Sequence, residues 1–213
     1  DGELQIGFTT EEEIVRVRLT LENMGMVHHF GRLVVIVGHG SNSVNNPHLA
    51  AYDCGACGGR HGGPNGRAFA HMANRPEVRA GLREVGIDIP DDAHFIGAEH
   101  DTCSDTVILY DLENVPETHL GDLDQLRRAL DVACELSAHE RCRRFDSAPS
   151  DPSPEEALEH VRSRAVDLSQ PRPELGHQGN AICVIGRRSL TQGLYLDRRA
   201  FLISYDPTTD PEG

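Results

Sequence analysis

Arg32-Leu33-Val34-Val35-Ile36-Val37-Gly38-His39-Gly40-Ser41 opens with an unbroken apolar run, mostly β-branched, and then breaks abruptly into glycine and polar side chains. Side chains branched at Cβ suit a pleated strand. Uniform rather than alternating hydrophobicity predicts a strand covered on both faces, as in the centre of a parallel sheet. In open α/β sheets ligands collect beyond the carboxyl ends of the strands. The imidazole of His39, between two glycines that let other backbone come close, therefore stands where a rigid strand would present a metal ligand.

On the amino-terminal side, Thr9-Thr10 followed by Glu11-Glu12-Glu13 predicts a helix start, with capping hydroxyls and acids at the positive end of the dipole. Ile14, Val17, Leu21 and Met24 fall at helical spacing, and Gly25 ends the run. On the other side, residues 38–66 are rich in glycine and asparagine with little periodicity, which favours a functional loop over a plain connection. Helices are predicted from Pro64 through Met72 and from Pro76 to Val85, and strands over Phe95–Ala98 and Thr106–Tyr110. A long amphipathic helix is expected from Asp122 to about Arg144, with Leu123, Leu126, Leu130, Cys134 and Leu136 facing inward. A proline-rich break over residues 146–154 precedes another helix at Pro154, and short strands over Ala181–Ile185 and Ala200–Tyr205 close the pattern. Strands alternating with helices predict an α/β layer fold with a mostly parallel sheet flanked by helices. The organisation expected is one α/β domain over 1–213. It comprises a helical segment (1–30), a sheet-and-loop region carrying the site (31–120), a second helical segment (121–168) and strands closing the sheet (169–213).

Composition narrows the chemistry. The 213 residues, 38% hydrophobic and 25% charged, can bury a core, and the longest apolar run is a strand's length, far short of the ~20 residues a membrane-spanning helix needs. A formal charge of −14 argues against a nucleic-acid surface. All 20 basic residues are Arg, which removes Schiff-base lysines, P-loop lysines and Ser–Lys dyads. Six cysteines are too sparse for a disulfide scaffold, and a reduced cytoplasmic setting makes closely spaced Cys and His a metal signal first. Asp1-Gly2-Glu3 lacks an initiator Met and the chain stops at Gly213 without a closing element, so a piece of a longer protein is expected.

Fourteen residues beyond His39 begins the second half of the metal signal, Asp53-Cys54-Gly55-Ala56-Cys57-Gly58-Gly59-Arg60-His61. Cys-x2-Cys is a tight-turn spacing compatible with tetrahedral zinc, and His61 adds a third donor. The competing reading makes His39 a partner of loop backbone and both cysteines small core residues. Glu99-His100-Asp101, after a predicted strand, offers a base or a carboxylate that orients a ligand, against a plain polar turn. Ser41 lacks both a nucleophile-elbow context and an evident base, so serine hydrolysis is disfavoured. The glycine-rich alternation of strand and helix carries no G-x-G-x-x-G, which weighs against a dinucleotide-binding oxidoreductase.

The stretches GHGSNSVNNPHLAAYDCGACGGRHGGPNGRAFAHMAN, EVGIDIPDDAHFIGAEHDTCSD and LSQPRPELGHQGNAICVIGRRSLTQGLYLDRRAFLISYDP closely resemble the DabA family of bacterial inorganic-carbon uptake subunits. The resemblance covers essentially the whole chain and implies a zinc protein with a site like that of β-type carbonic anhydrases. It places His39 and Cys54 as metal ligands, with Cys57 a neighbour. Ser41, Asp53, Cys57, His61, His100 and Asp101 are then left as surrounding groups or alternative ligands. It also implies a Cys and an Asp from a C-x-D-x-R segment. Cys103-Ser104-Asp105 has that opening spacing, but Val107 stands in the arginine's place, so the true segment is expected upstream of Asp1 and this chain is expected to carry half a site, inactive alone. The implied reaction hydrates CO2 to bicarbonate. The implied partner is a DabB-like proton-conducting membrane subunit, with the protein on the cytoplasmic face of the membrane. A structural zinc scaffold without turnover is the alternative.

Overall fold

A computed structural model describes residues 7–44, 59–170, 180–197 and 199–208. Its elements run α1 (Thr10–Met24), β1 (Leu33–Gly40), α2 (Gly63–Asn74), α3 (Pro76–Glu84), β2 (His94–Asp101), β3 (Thr106–Leu109), α4 (Leu120–Cys142), α5 (Pro154–Val166), β4 (Ile182–Gly186) and β5 (Ala200–Ser204). The chain divides into two compact units. One gathers the described parts of Arg32–His71 and His94–Leu175, and the other those of Asp1–Gly31, Met72–Ala93 and Gly176–Gly213.

In the first unit β1 and β2 pair in parallel, from Leu33 opposite His94 to Gly40 opposite Asp101. β3 then returns antiparallel, with Ala98 opposite Leu109 and Asp101 opposite Thr106. The α/β class expected from the sequence holds, but the mostly parallel sheet is corrected to a mixed one in the order β1-β2-β3. Only residues 102–105 separate β2 from β3, enough for a hairpin and far short of the dozen or so residues that a parallel crossover needs. Two-sided burial of β1 also holds only in part. Val34 is buried, yet Val37 is 50% exposed and His39 is exposed. Among the described residues β1 is an edge of its sheet, and its cover thins toward the carboxyl end.

Two apolar clusters hold this unit. Ile96, Val115 and Leu123 pack with Leu33, Leu109, Leu112 and Leu126, binding α4 to the sheet. Ala138, Cys142, Ala157, Leu158 and Val161 join α4 to α5. The α4 stripe matches expectation from Leu123 to Cys134, but Leu136 is 56% exposed. At 100° per residue Leu136 lies about 220° around the helix from Leu123, on the opposite face, and Ala138 and Cys142 continue the stripe instead. The start of α5 is fixed by a capping box, Ser153 accepting from the Glu156 N–H while the Glu156 carboxylate accepts from the Ser153 N–H. Where α2 begins it lies hard against the strands: a Cβ on Gly66 would meet the Ile36 carbonyl at 2.7 Å, and one on Gly97 the Arg67 backbone at 2.6 Å.

The second unit is built on α1 and α3. Thr9 and Glu12 form the capping box that the sequence announced, and Gly25 at φ 72° closes the helix. Val17 and Leu21 are fully buried, and Gly81 of α3 leaves room for the Ile14 side chain. Arg75 pairs with Glu13, and the guanidinium of Arg79 donates to the Ala73, Pro90 and Ala93 carbonyls. β4 and β5 form a separate parallel ladder, Ile182 opposite Ala200 through Gly186 opposite Ser204.

Candidate metal centre at the sheet rim

The strand register decides which side chains meet at the carboxyl end of β1. His39 stands opposite His100, Gly38 opposite Glu99 and Gly40 opposite Asp101. Laterally paired residues in a parallel sheet share a face, and successive residues alternate. His39 and His100 therefore lie on one face, while Glu99 lies on the other with Gly38 and Gly40.

On the Glu99 face the returning chain is clamped to β1. The Gly62 N–H donates to the His39 carbonyl at 2.7 Å, and a Cβ at Gly38 would collide with the backbone of Gly62. A Cβ on Gly40 would meet a Glu99 carboxylate oxygen at 2.9 Å and His61 Nδ1 at 3.1 Å. Both glycines are thus demanded by close approach. The Glu99 carboxylate is buried and accepts from His61 Nδ1 at 2.6 Å and from the Gly63 N–H at 3.0 Å, with the Tyr110 hydroxyl at 3.5 Å. Glu99 also stands at the first turn of α2, where negative charge is favoured. Burial, followed by the charge of Glu99, raises the Tyr110 hydroxyl above its ordinary value.

On the His100 face, His100 Nε2 bonds Asp105 Oδ1 at 3.0 Å, and Asp105 Oδ2 accepts from Arg141 Nη1 at 2.6 Å. Both Asp105 and Arg141 are about 1% exposed. Burial alone would raise the Asp105 carboxyl, but the hydrogen bond from His100 and the Arg141 charge outweigh it and hold it below the ordinary carboxylate range. Arg141 also donates to the Cys103 carbonyl, tying α4 to the turn between β2 and β3.

Each residue singled out from sequence can now be placed. His39 is at the strand end and exposed, with its backbone clamped by Gly62. Ser41 is buried, its Oγ 3.1 Å from Cys103 Sγ. His61 is oriented by Glu99 and His100 by Asp105. Asp101 organises the turn by accepting from the Asn42 and Cys103 N–H groups and the Ser104 hydroxyl. Asp53, Cys54 and Cys57 lie outside the described residues. Among the described residues no group of three or more His, Cys, Asp and Glu is arranged to hold a metal ion. The donor chemistry that is described offers one imidazole at the strand end, His39, with His100 on its face of the sheet and His61 held by Glu99 on the other. Asp105 and Arg141 were not marked as site residues in sequence. Glu99 had a signal, adjacency to His100 at a strand end, whereas the Asp105–Arg141 pair spans 36 positions and leaves no local trace.

A family model described as "Probable inorganic carbon transporter subunit DabA" matches residues 1–213. Similar proteins include DabA 2 of Sorangium cellulosum (strain So ce56), 62% identical over 206 residues, which is 97% of this chain and 20% of that protein. DabA of Methylococcus capsulatus (strain ATCC 33009 / NCIMB 11132 / Bath) is 58% identical over 207 residues, 97% of this chain and 19% of that protein. DabA of Azotobacter vinelandii (strain DJ / ATCC BAA-1303) is 47% identical over 213 residues, 100% of this chain and 25% of that protein. Each is named a probable inorganic carbon transporter subunit, and this chain spans about a fifth of the length of such relatives. No solved structure shows a significant match.

Proposed function

The chain belongs to the DabA family, and on that premise we propose that it forms half of a zinc-centred, β-carbonic-anhydrase-like site in an inorganic-carbon transporter subunit. The full site hydrates CO2 to bicarbonate beside a proton-conducting, DabB-like membrane subunit at the cytoplasmic face of the membrane. The observation that supports this reading is the exposed imidazole of His39 at a strand end onto which the chain returns after the cysteine-bearing segment. Val44 N–H bonds the Ala165 carbonyl where the chain leaves, and Gly62 N–H bonds His39 where it comes back. Cys54 stands eight residues before Gly62, and that length of chain reaches up to ~27 Å, so no limit of reach keeps its thiolate from His39.

His39 and Cys54 would hold the metal from this chain, and the C-x-D-x-R segment, elsewhere in the full subunit, would supply a second Cys and an Asp. When bound, the metal supplies Lewis acidity and lowers the pKa of coordinated water toward ~7. The chain's own residues then act by position. The β1–β2 pairing fixes the His39 backbone, and glycines at 38 and 40 admit the Gly62 backbone and the Glu99 carboxylate. Glu99 orients His61 through Nδ1, and Asp105 orients His100 through Nε2. Catalysed hydration speeds both directions equally and accumulates nothing, so net uptake demands coupling to proton flow in the partner. Among the described residues no helix is long and apolar enough to cross a membrane.

Oxygen-18 exchange between CO2 and water tests the reading on the full-length subunit with its membrane partner. Exchange is expected to fall to near background in His39→Ala and Cys54→Ala, and exchange at the wild-type rate in both would overturn it. One observation favours a second reading, a structural zinc held by Cys54, Cys57 and His61: the carboxylate at His61 Nδ1 is the support that ligating histidines commonly have. That reading predicts unfolding of this region by a chelator, with exchange chemistry intact after His39→Ala.

A further inference from the structure

Three arginines among the described residues are more than nine-tenths buried, Arg79, Arg141 and Arg164. Arg141 pairs with the Asp105 carboxylate and also donates to the Cys103 carbonyl. Arg79 donates through Nε, Nη1 and Nη2 to the Ala73, Pro90 and Ala93 carbonyls and to the Asn74 side chain. Arg164, in the last turn of α5, is the exception. Its guanidinium lies over the Phe145 ring at 4.0 Å. The hydrogen bonds it makes leave from Nη1, to the Ser147 hydroxyl oxygen at 3.1 Å and to Gln170 Oε1 at 2.9 Å, and both acceptors are neutral. Nε is buried with no partner. The nearby Asp167 carboxylate accepts instead from the N–H and the hydroxyl of Ser169.

A guanidinium does not shed its proton inside a protein, so burial leaves the charge in place, and a buried charge is costly until an opposite charge meets it. The Nε edge of a guanidinium offers two parallel N–H donors that match the two oxygens of a carboxylate. Beside Arg164, Ser147 is exposed, and its hydroxyl, having accepted from Nη1, still holds a proton to donate. His160 Nε2 stands 3.5 Å from that hydroxyl. We propose that Arg164 is an anion-binding residue, its Nε edge and the Ser147 hydroxyl holding one carboxylate-type oxyanion between the 145–148 turn and the end of α5. One negative charge balances the one guanidinium, and a planar pair of oxygens fits its edge, which selects a carboxylate over a halide or a phosphate dianion. The carboxylate comes from a small anion in solution or from a side chain elsewhere in the full-length subunit. This inference is independent of zinc and of the reaction.

Burial, followed by the charge of Arg164, lowers the His160 imidazole below its ordinary value, so His160 reports whether that charge is neutralised. The full-length subunit is titrated with sodium formate against sodium chloride at constant ionic strength, and the titration midpoint of His160 is read from deuterium exchange at its C2 position by mass spectrometry. For an anion from solution, formate shifts the midpoint upward to a plateau and chloride does not. Arg164→Met, which keeps an apolar stem beside Phe145, abolishes that response. For a carboxylate of the subunit itself, formate has no effect, and a carbodiimide joins the amine introduced by Arg164→Lys, in a segment with no other lysine, to an Asp or Glu other than Asp167. A midpoint indifferent to formate with no crosslink, or with a crosslink to Asp167 alone, would overturn the inference. So would an equal shift with chloride or in Arg164→Met.

Discussion

The Glu99 carboxylate, buried beneath Gly40 and at the first turn of α2, gathers donors from three directions, while Asp105 does the same on the opposite face of β2 with Arg141 and His100. Removing one partner of a buried ion pair strands the other charge and costs about 3–5 kcal/mol, far more than an exposed pair would. Arg141→Met is therefore expected to lower the free energy of opening of α4 by about that amount, read by amide hydrogen exchange. The double variant Arg141→Met with Asp105→Asn should recover part of the loss, and a double variant no better than the single would contradict the pairing account. The sign of the pH dependence follows from the depressed Asp105 carboxyl. Its stabilisation is fully present above the unfolded value of ~3.9 and disappears as pH falls through the lower folded value, so Asp105→Asn should flatten the acid loss of stability below about pH 4. Glu99→Gln keeps shape but removes charge. If His61 ligates, as in the structural-zinc reading, this variant is expected to weaken zinc retention by the full-length subunit about 10–100-fold while α2 stays folded, and unchanged zinc retention would rule out His61 as a ligand supported by Glu99.

Among the elements, helix starts and stops were the most legible, because their signals are local. Thr9 with Glu12, Ser153 with Glu156 and Gly25 act within one turn of the residues they cap. Replacing Ser153 by Ala should destabilise α5 by about 1 kcal/mol, seen as faster amide exchange in its first turn only. Strand β1 was legible as a strand but not as an edge, since uniform hydrophobicity reports the potential for cover and not the neighbours that supply it. Strand direction was also hidden: the antiparallel turn into β3 depends on the short 102–105 connection and on the hydrogen bonds that Asp101 makes within it. The site divides the same way. His39 and the Glu99-His100-Asp101 triplet could be located from the strands that carry them, whereas the Asp105–Arg141 pair emerges only when distant segments meet. Gly66 belongs to this second class, a packing requirement set by Ile36 and Ala98. Gly66→Ala is expected to push α2 off the strands and cost about 1–3 kcal/mol, and wild-type exchange protection in β1 and β2 would contradict that.

At the scale of the whole molecule, the segment describes a rim rather than a finished centre. One unit carries His39 at a strand end with His100 beside it on the same face of the sheet, and the other carries the parallel β4–β5 ladder. The chain spans about a fifth of its relatives' length, and on the proposed reading the remaining ligands come from the rest of the subunit. The most direct test is the zinc content of the purified full-length subunit, measured by elemental analysis for wild type, His39→Ala and Cys54→Ala. One zinc per subunit in wild type and none in either variant is the result expected of a shared centre at the end of β1, and zinc retained in full by both variants would contradict it.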